Sequence, residues 1–417
     1  MLQVISSSWA LLLGMGLLMV GNGLQGTLLG VRGDIEGFSA FQMSLVMSAY
    51  FVGFLGGSRM APEMIRRVGH VRVFAALASF ISAVLVLYAT WANPLVWMVL
   101  RIVVGFCFAG VYVTAESWLN NASDNENRGK TLSVYMMVQM IGIVAAQALL
   151  LAADPSGYVL FVIISVLVSI SFAPILLSIS PTPAFEFTKP KTLREIMEIS
   201  PLGCVGMFLL GGVFSAQFGM SAVYGASIKL TLSQISLFVS AFYIGATLLQ
   251  YPLGWISDRM DRRLLIMLVA ALGTTGAVLG MFAGSNFTIL LLAAFVIGGT
   301  SNPLYSLLLA YTNDFIELED MAAVSGGLVF INGLGAISGP IIAGWMMSAV
   351  GAPGYFLFLA MLLVAMAAYA GFRMTQRAAR SVEESSNYAP VWMSSSQMSV
   401  EYALETGAED AESTETT

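Results

Sequence analysis

The chain predicts an all-α integral membrane fold of twelve transmembrane helices in two six-helix pseudo-repeats. Three observations carry that prediction: a composition rich in apolar and poor in charged residues, twelve separate apolar runs, and a proline-bearing polar connection between the sixth and seventh. Of the 417 residues 58% are apolar and 10% charged, with a mean hydropathy of +0.83; a soluble domain is about 45–50% apolar and about 25% charged. A water-soluble globule is excluded.

A span needs about 20 mainly apolar residues, and twelve such runs can be drawn. They cover 9–30, 41–60, 73–91, 95–119, 131–152 and 158–179, then 202–224, 235–257, 264–282, 288–311, 325–349 and 354–372. The first holds Asn22 and Gln25, has no basic region before it and lacks a small-residue cleavage site. It is expected to be a span and not a removable signal. Residues 181–200, with Pro181, Pro183 and Pro190 and the polar segment LREIMEI, separate six runs from six. The expected domains are therefore a bundle over 1–180, a cytoplasmic linker over 181–200, a second bundle over 201–372, and a disordered tail over 373–417 anchored by its first arginines. Such halving is the architecture of two parallel repeats about a midplane site.

Orientation follows from the basic residues. Every second connection, the linker and the tail hold Arg66, Arg67, Arg72, Arg128, Lys130, Lys189, Lys191, Arg194, Arg259, Arg262, Arg263, Arg373, Arg377 and Arg380, with Arg59 at a neighbouring helix end. The opposite connections hold Arg32 and Lys229. The positive-inside bias then places both termini in the cytoplasm, which an even number of spans requires.

The net charge of −6 reflects an acidic C-terminal segment and leaves no basic face for nucleic acid. Cys107 and Cys204 lie in apolar runs without metal or redox spacing. His70 reads as a solvated loop residue. No paired carboxylates, metal-ligand spacing, nucleotide-binding glycine loop or nucleophile elbow is present, so neither an enzyme, a metal site nor a cofactor is expected.

One stretch organises the second half: YPLGWISDRMDRR, residues 251–263, between two apolar runs. Gly254 allows close helix approach, Asp258 can accept from free amides at a helix start, and Arg259, Arg262 and Arg263 suit the headgroup layer. This resembles the cytoplasmic-loop signature of the major facilitator superfamily, with Asp261 where the family usually has Gly. In the first half the same loop is degenerate, Pro62 and Arg66 standing at the Gly and Asp positions. LRIVVGFCFAGVYVTAESWLNN, with Arg101 four residues before Gly105, is similar to the family's fourth-helix motif, and Arg128-Gly129 is another family habit. The phrases APEMIRRVGHVRVF, AESWLNNASDNENRGK and SVYMMVQMIG look most like the bacterial YcaD-like branch. The resemblance implies alternating-access transport of a small organic solute by a monomer in a bacterial inner membrane, secondary active or facilitative, with proton coupling an option. Two other readings stay open: a receptor or scaffold on the same fold, and a drug or metabolite exporter.

Arg101 sits inside a span, where a cation costs about 2.5–3.5 kcal/mol on insertion scales. It either snorkels to the interface and braces its neighbours or serves coupling and anion attraction. Glu116 follows by 15 positions, about 22 Å along the helix and roughly 60° around it, so the two cannot touch. Its expected partners are Arg59, Arg66, Arg67 or Arg128, in an ion pair or at a protonatable coupling site. A latch is also expected: Arg66, Arg67 and Arg72 near the acidic loop holding Asp314, Glu317, Glu319 and Asp320, with Asp258 capping the helix that starts near Thr131. The alternative is two solvated loops. The resemblance implies that spans one, four, seven and ten line the solute path, making Asn22, Gln25, Tyr112, Gln217, Ser301, Asn302 and Tyr305 cavity candidates beside Arg101. Each could instead bond a neighbouring helix.

Overall fold

In a bilayer every backbone N–H and C=O must be satisfied within the chain, which leaves helices as the only use for apolar runs of this length. The computed structural model describes residues 2–121, 125–177, 192–284, 286–316, 320–376, 388–392, 395–396 and 399–401. The first bundle comprises α1 (Leu2–Ile35), α2 (Ala40–Val68), α3 (His70–Thr90), α4 (Pro94–Asn121), α5 (Asn125–Leu149), α6 (Val159–Ser171) and the short α7 (Ala173–Leu177). After the amphipathic α8 (Leu193–Ile199) come α9 (Pro201–Ser227), α10 (Leu232–Ser257), α11 (Arg262–Phe282), α12 (Phe287–Asn313), α13 (Met321–Val350) and α14 (Gly354–Gln376). Among the described residues twelve segments are long and apolar enough to cross a membrane, α6 and α7 together making the sixth. The break between these two falls where Pro174, lacking an N–H, cannot bond the carbonyl of Ile170.

Local signals start several helices. Ser39 and Gln42 form a capping box at α2, and Thr192 and Glu195 do so at α8. Asn286 caps α12, and Asp261 caps α11 by accepting from Arg263 N at 2.9 Å. The residue at which this loop departs from the family pattern is thus the N-cap of the next span.

The repeats are visible in equivalent packings. In the first, Gly53 and Gly57 of α2 face the carbonyls of Ile102 and Phe106 on α4; in the second, Gly245 of α10 and Gly298 of α12 meet carbonyls of Phe295 and Phe242. Likewise α3 packs on α6 as α11 packs on α14.

The chain divides into two compact units, Met1–Phe187 with Phe218–Ser240, and Thr188–Gln217 with Ala241–Thr417. The first division, between Phe187 and Thr188, falls within residues 181–200, and Phe218–Ser240 are grouped apart from the rest of the second half. The tip of the α9–α10 hairpin belongs with the first unit because it is held there: Lys229 pairs with Asp34 at 3.0 Å, and Ser236 donates to Gln147 O at 2.6 Å. At Gly30 of α1 an added Cβ would lie 2.8 Å from Ala222 Cβ. Helix α14 continues to Gln376, and Val391, Ser395, Ser396, Ser399 and Val400 are buried.

Candidate functional site

In the first unit the site is built around Arg101. It lies two turns into α4 and is fully buried, so it does not snorkel. Nη2 approaches Met47 Sδ at 3.3 Å, and the guanidinium stands 4.8 Å from the centre of the Tyr50 ring. Nε and Nη1 have no hydrogen-bond partner, and no carboxylate pairs with the side chain among the described residues. Two more buried donors are unpartnered: Trp97 Nε1, one turn earlier on α4, and the hydroxyl of Tyr88, whose ring lies 5.9 Å from that of Trp97. A buried cation without a counter-charge is costly, and one flanked by further idle donors has the chemistry of a site for an acceptor, above all an anion.

Tyr50 connects this centre to the amides of α1. Its ring lies 6.4 Å from Phe108, which lies 6.3 Å from Tyr112. Asn22 Nδ2 donates to the Tyr112 hydroxyl at 3.1 Å, and that hydroxyl reaches Met19 Sδ at 3.3 Å. Asn22 Oδ1 and both amide atoms of Gln25 are buried without partners. Arg101, Tyr112, Asn22 and Gln25 thus form one aromatic and amide seam on α1, α2 and α4, in which Asn22 Nδ2 bonds across to α4 while Asn22 Oδ1, the Gln25 amide and two Arg101 nitrogens keep unspent bonding capacity.

The second unit carries the other cavity candidates. Gln217 Nε2 donates to Ser301 Oγ at 3.1 Å. Asn302 Nδ2 donates to Gln250 Oε1 at 2.9 Å, and Gln250 Nε2 donates to Ser306 Oγ at 2.9 Å. Tyr305 is buried beside them on α12. Gln250, Trp97 and Tyr88 escape sequence reasoning: a single amide or aromatic in a span carries no signal until the helix crossing brings its partner.

The gating candidates fare differently. Glu116 is buried and accepts from the Tyr135 hydroxyl at 3.1 Å, whereas Arg66 and Arg67, expected near it, clasp Glu63 at 2.7 and 2.6 Å. Short local carboxylate contacts capture these arginines before a distant one can. Arg128, Glu317 and Glu319 lie outside the residues whose side chains are described. Asp314 is buried against Arg262 of its own unit, Oδ1 to Nη1 at 2.5 Å, with Ala310 O accepting from the same nitrogen at 3.1 Å. Arg259 stacks 4.1 Å from the Trp255 ring centre. Asp258, expected to cap the helix near Thr131, accepts from Tyr388 N at 2.8 Å, and the Tyr388 ring covers Gly254. Burial pushes the Asp258 carboxyl above the usual carboxylate range, against the hydrogen bond from Tyr388 and the charges of Arg262 and Arg259. His70 is no solvated loop residue: it begins α3, is buried, and its Nε2 lies 3.0 Å from Ser117 Oγ.

The family model described as Major Facilitator Superfamily matches residues 11–228 and 202–394. The chain belongs to the Major Facilitator Superfamily. Curated relatives include the uncharacterised MFS-type transporter YcaD of Escherichia fergusonii, 24% identical over 319 residues, or 75% of this chain and 81% of that one. YcaD of Salmonella newport is 24% identical over 311 residues, covering 74% and 80%. The YcaD-like resemblance therefore holds. Among solved structures, a mutant of the nucleoside transporter NupG matches with a TM-score of 0.77 at 14% identity, covering 88% of this chain and 99% of that one. The Escherichia coli fucose:proton symporter FucP matches at 0.57 and 15% identity, covering 89% and 99%. These likenesses show the superfamily fold.

Proposed function

We propose that the chain is a monomeric secondary carrier, with both termini cytoplasmic, that moves a small organic solute bearing a carboxylate or other anionic group by alternating access. Arg101 carries the reading: a fully buried guanidinium with two unpartnered nitrogens, flanked by the idle donors of Trp97 and Tyr88. A solute carboxylate would satisfy these donors at once. The aromatic wall of Tyr50, Phe108 and Tyr112 suits an organic body, and Asn22 and Gln25 supply further polar contacts. Glu116 is the candidate proton site, since a carboxyl buried at membrane depth is a natural relay.

A thermal-shift screen of the purified full chain against carboxylates, amino acids, nucleosides, sugars and organic cations tests this, with hits carried into proteoliposome uptake. Hits bearing an anionic group, lost in Arg101→Gln and partly kept in Arg101→Lys, are the expected result. Hits confined to cations, or full affinity in Arg101→Gln, would overturn it. For Glu116→Gln, uptake is expected to stop responding to an imposed pH gradient; unchanged proton dependence removes its coupling role.

A further inference from the structure

The tail is chemically partitioned. Between Glu383-Glu384 and Glu401 lies SSNYAPVWMSSSQMSV, residues 385–400, without a single charge. Such a stretch can leave water where its acidic flanks cannot. Its seat is on α10 and α12. The Tyr388 ring lies on Gly254, where any Cβ would come to 2.5 Å from a ring carbon, and Tyr388 N donates to Asp258. Three residues on, Val391 N donates to Ser306 Oγ at 2.9 Å while that hydroxyl donates back to Val391 O at 3.1 Å.

Ser306 stands two turns before the end of α12 at Asn313, a depth of about 10 Å. Its hydroxyl has one donor and two acceptor sites, and the tail uses two of the three, Gln250 Nε2 taking the last. Non-helical backbone at this depth is tolerated only where its polar groups are met; here Ser306, the end of the chain Asn302–Gln250–Ser306, meets Val391, and Asp258 meets Tyr388 N. The tail is held as a peptide ligand would be. Residues 377–387 join α14 to the seat, and 12 steps reach at most about 40 Å.

We propose that residues 388–392 are an autoinhibitory plug, seated on Gly254, Asp258 and Ser306, which closes aqueous access to the Asn302–Gln250–Ser306 chain until it is displaced. Only the consequence for solute rests on the carrier reading; the seat does not. A segment on a short tether has an effective concentration on the order of millimolar, so modest contacts suffice and a competitor for the tail can release it.

The test reads access and needs no solute. In a Cys107→Ser, Cys204→Ser background, Val391→Cys in the full chain should react with a water-soluble maleimide at least tenfold more slowly than the same cysteine in a free peptide of residues 385–401. Gly254→Leu and Ser306→Ala should each raise that rate about tenfold, the factor used to score release. Tyr388→Gly, which alters only the tail and cannot unfold the bundle, should do the same. Independently, Asn302→Cys should label at least tenfold faster after deletion of residues 377–417 and slow again with about 1 mM peptide, matching the tethered concentration. Val391→Cys reacting at the free-peptide rate, or Asn302→Cys unchanged by the deletion, would overturn the plug. A seated tail in a chain that moves no solute would leave the plug standing and sink the transport reading alone.

Discussion

Arg262 and Asp314 show what burial does to a residue that the sequence places at a membrane edge. Their side chains are 3% and 5% exposed, and the guanidinium also donates to Ala310 O and Ser257 Oγ. Removing Asp314 takes from the buried guanidinium its nearest carboxylate and leaves Asp258 at 3.7 Å as the remaining one, against about 3–5 kcal/mol for a buried charge left with none. Asp314→Asn should therefore lower the unfolding temperature in detergent, and Arg262→Met with Asp314→Leu should recover much of the loss. Equal unfolding temperatures for Asp314→Asn and the unsubstituted chain would show that the pair is not holding the loop. At this scale the sequence was half legible. Arg101 stood out because a lone cation in an apolar run is anomalous by itself. Gln250 did not, since its partners Asn302 and Ser306 are more than fifty positions away and only the crossing of α10 with α12 joins them. Arg262 was misplaced for the same reason: a basic residue after Asp258 reads as solvated until the end of α12 supplies a carboxylate.

The helices were nearly all legible, because the hydrocarbon thickness sets the minimum length of each apolar run. Their ends were not, since backbone hydrogen bonding does not stop where the apolar run stops. An expected span over 41–60 became α2 (Ala40–Val68), whose overhang carries Glu63 with Arg66 and Arg67. Two element-scale predictions follow from caps and close approaches. Asp261→Ala and Asp261→Gly both give up the carboxylate that pairs with Arg263 at 2.9 Å, but Gly, the usual family residue, is the better N-cap, so Asp261→Ala should be the less stable by about 1 kcal/mol; detergent thermal unfolding compares them, and equal losses would deny the cap its role. At the other end of the bundle, the α9–α10 tip rests on α1 through Gly30 and Ala222. Leucine at position 30 cannot share that space, so Gly30→Leu should make Ala222→Cys, at a buried position, reactive to an external maleimide. Labelling as slow as in the Gly30 chain would mean the tip closes by another contact.

For the molecule as a whole, orientation rests on charge and not on packing. Of the 18 Lys and Arg residues, Arg101 is inside a span, Arg32 and Lys229 belong to connections at one end, Arg59 sits at the helix end facing the opposite side, and all the others fall to the connections, linker and tail on that opposite side. Arg32 and Lys229 are moreover each paired with an acid, Glu36 at 2.6 Å and Asp34 at 3.0 Å. The insertion machinery reads Lys and Arg in short loops, and an asymmetry this large leaves one topology favoured. In a Cys107→Ser, Cys204→Ser background, Ala92→Cys and Lys229→Cys should react with a membrane-impermeant maleimide in intact cells. Arg67→Cys and Arg194→Cys, on side chains 70% and 88% exposed, should react only after permeabilisation. The reverse pattern would turn the molecule over and put the tail, its seat on α10 and α12, and the Arg262–Asp314 pair on the outer face. A split within either pair would break the even count of spans on which the two-repeat architecture stands.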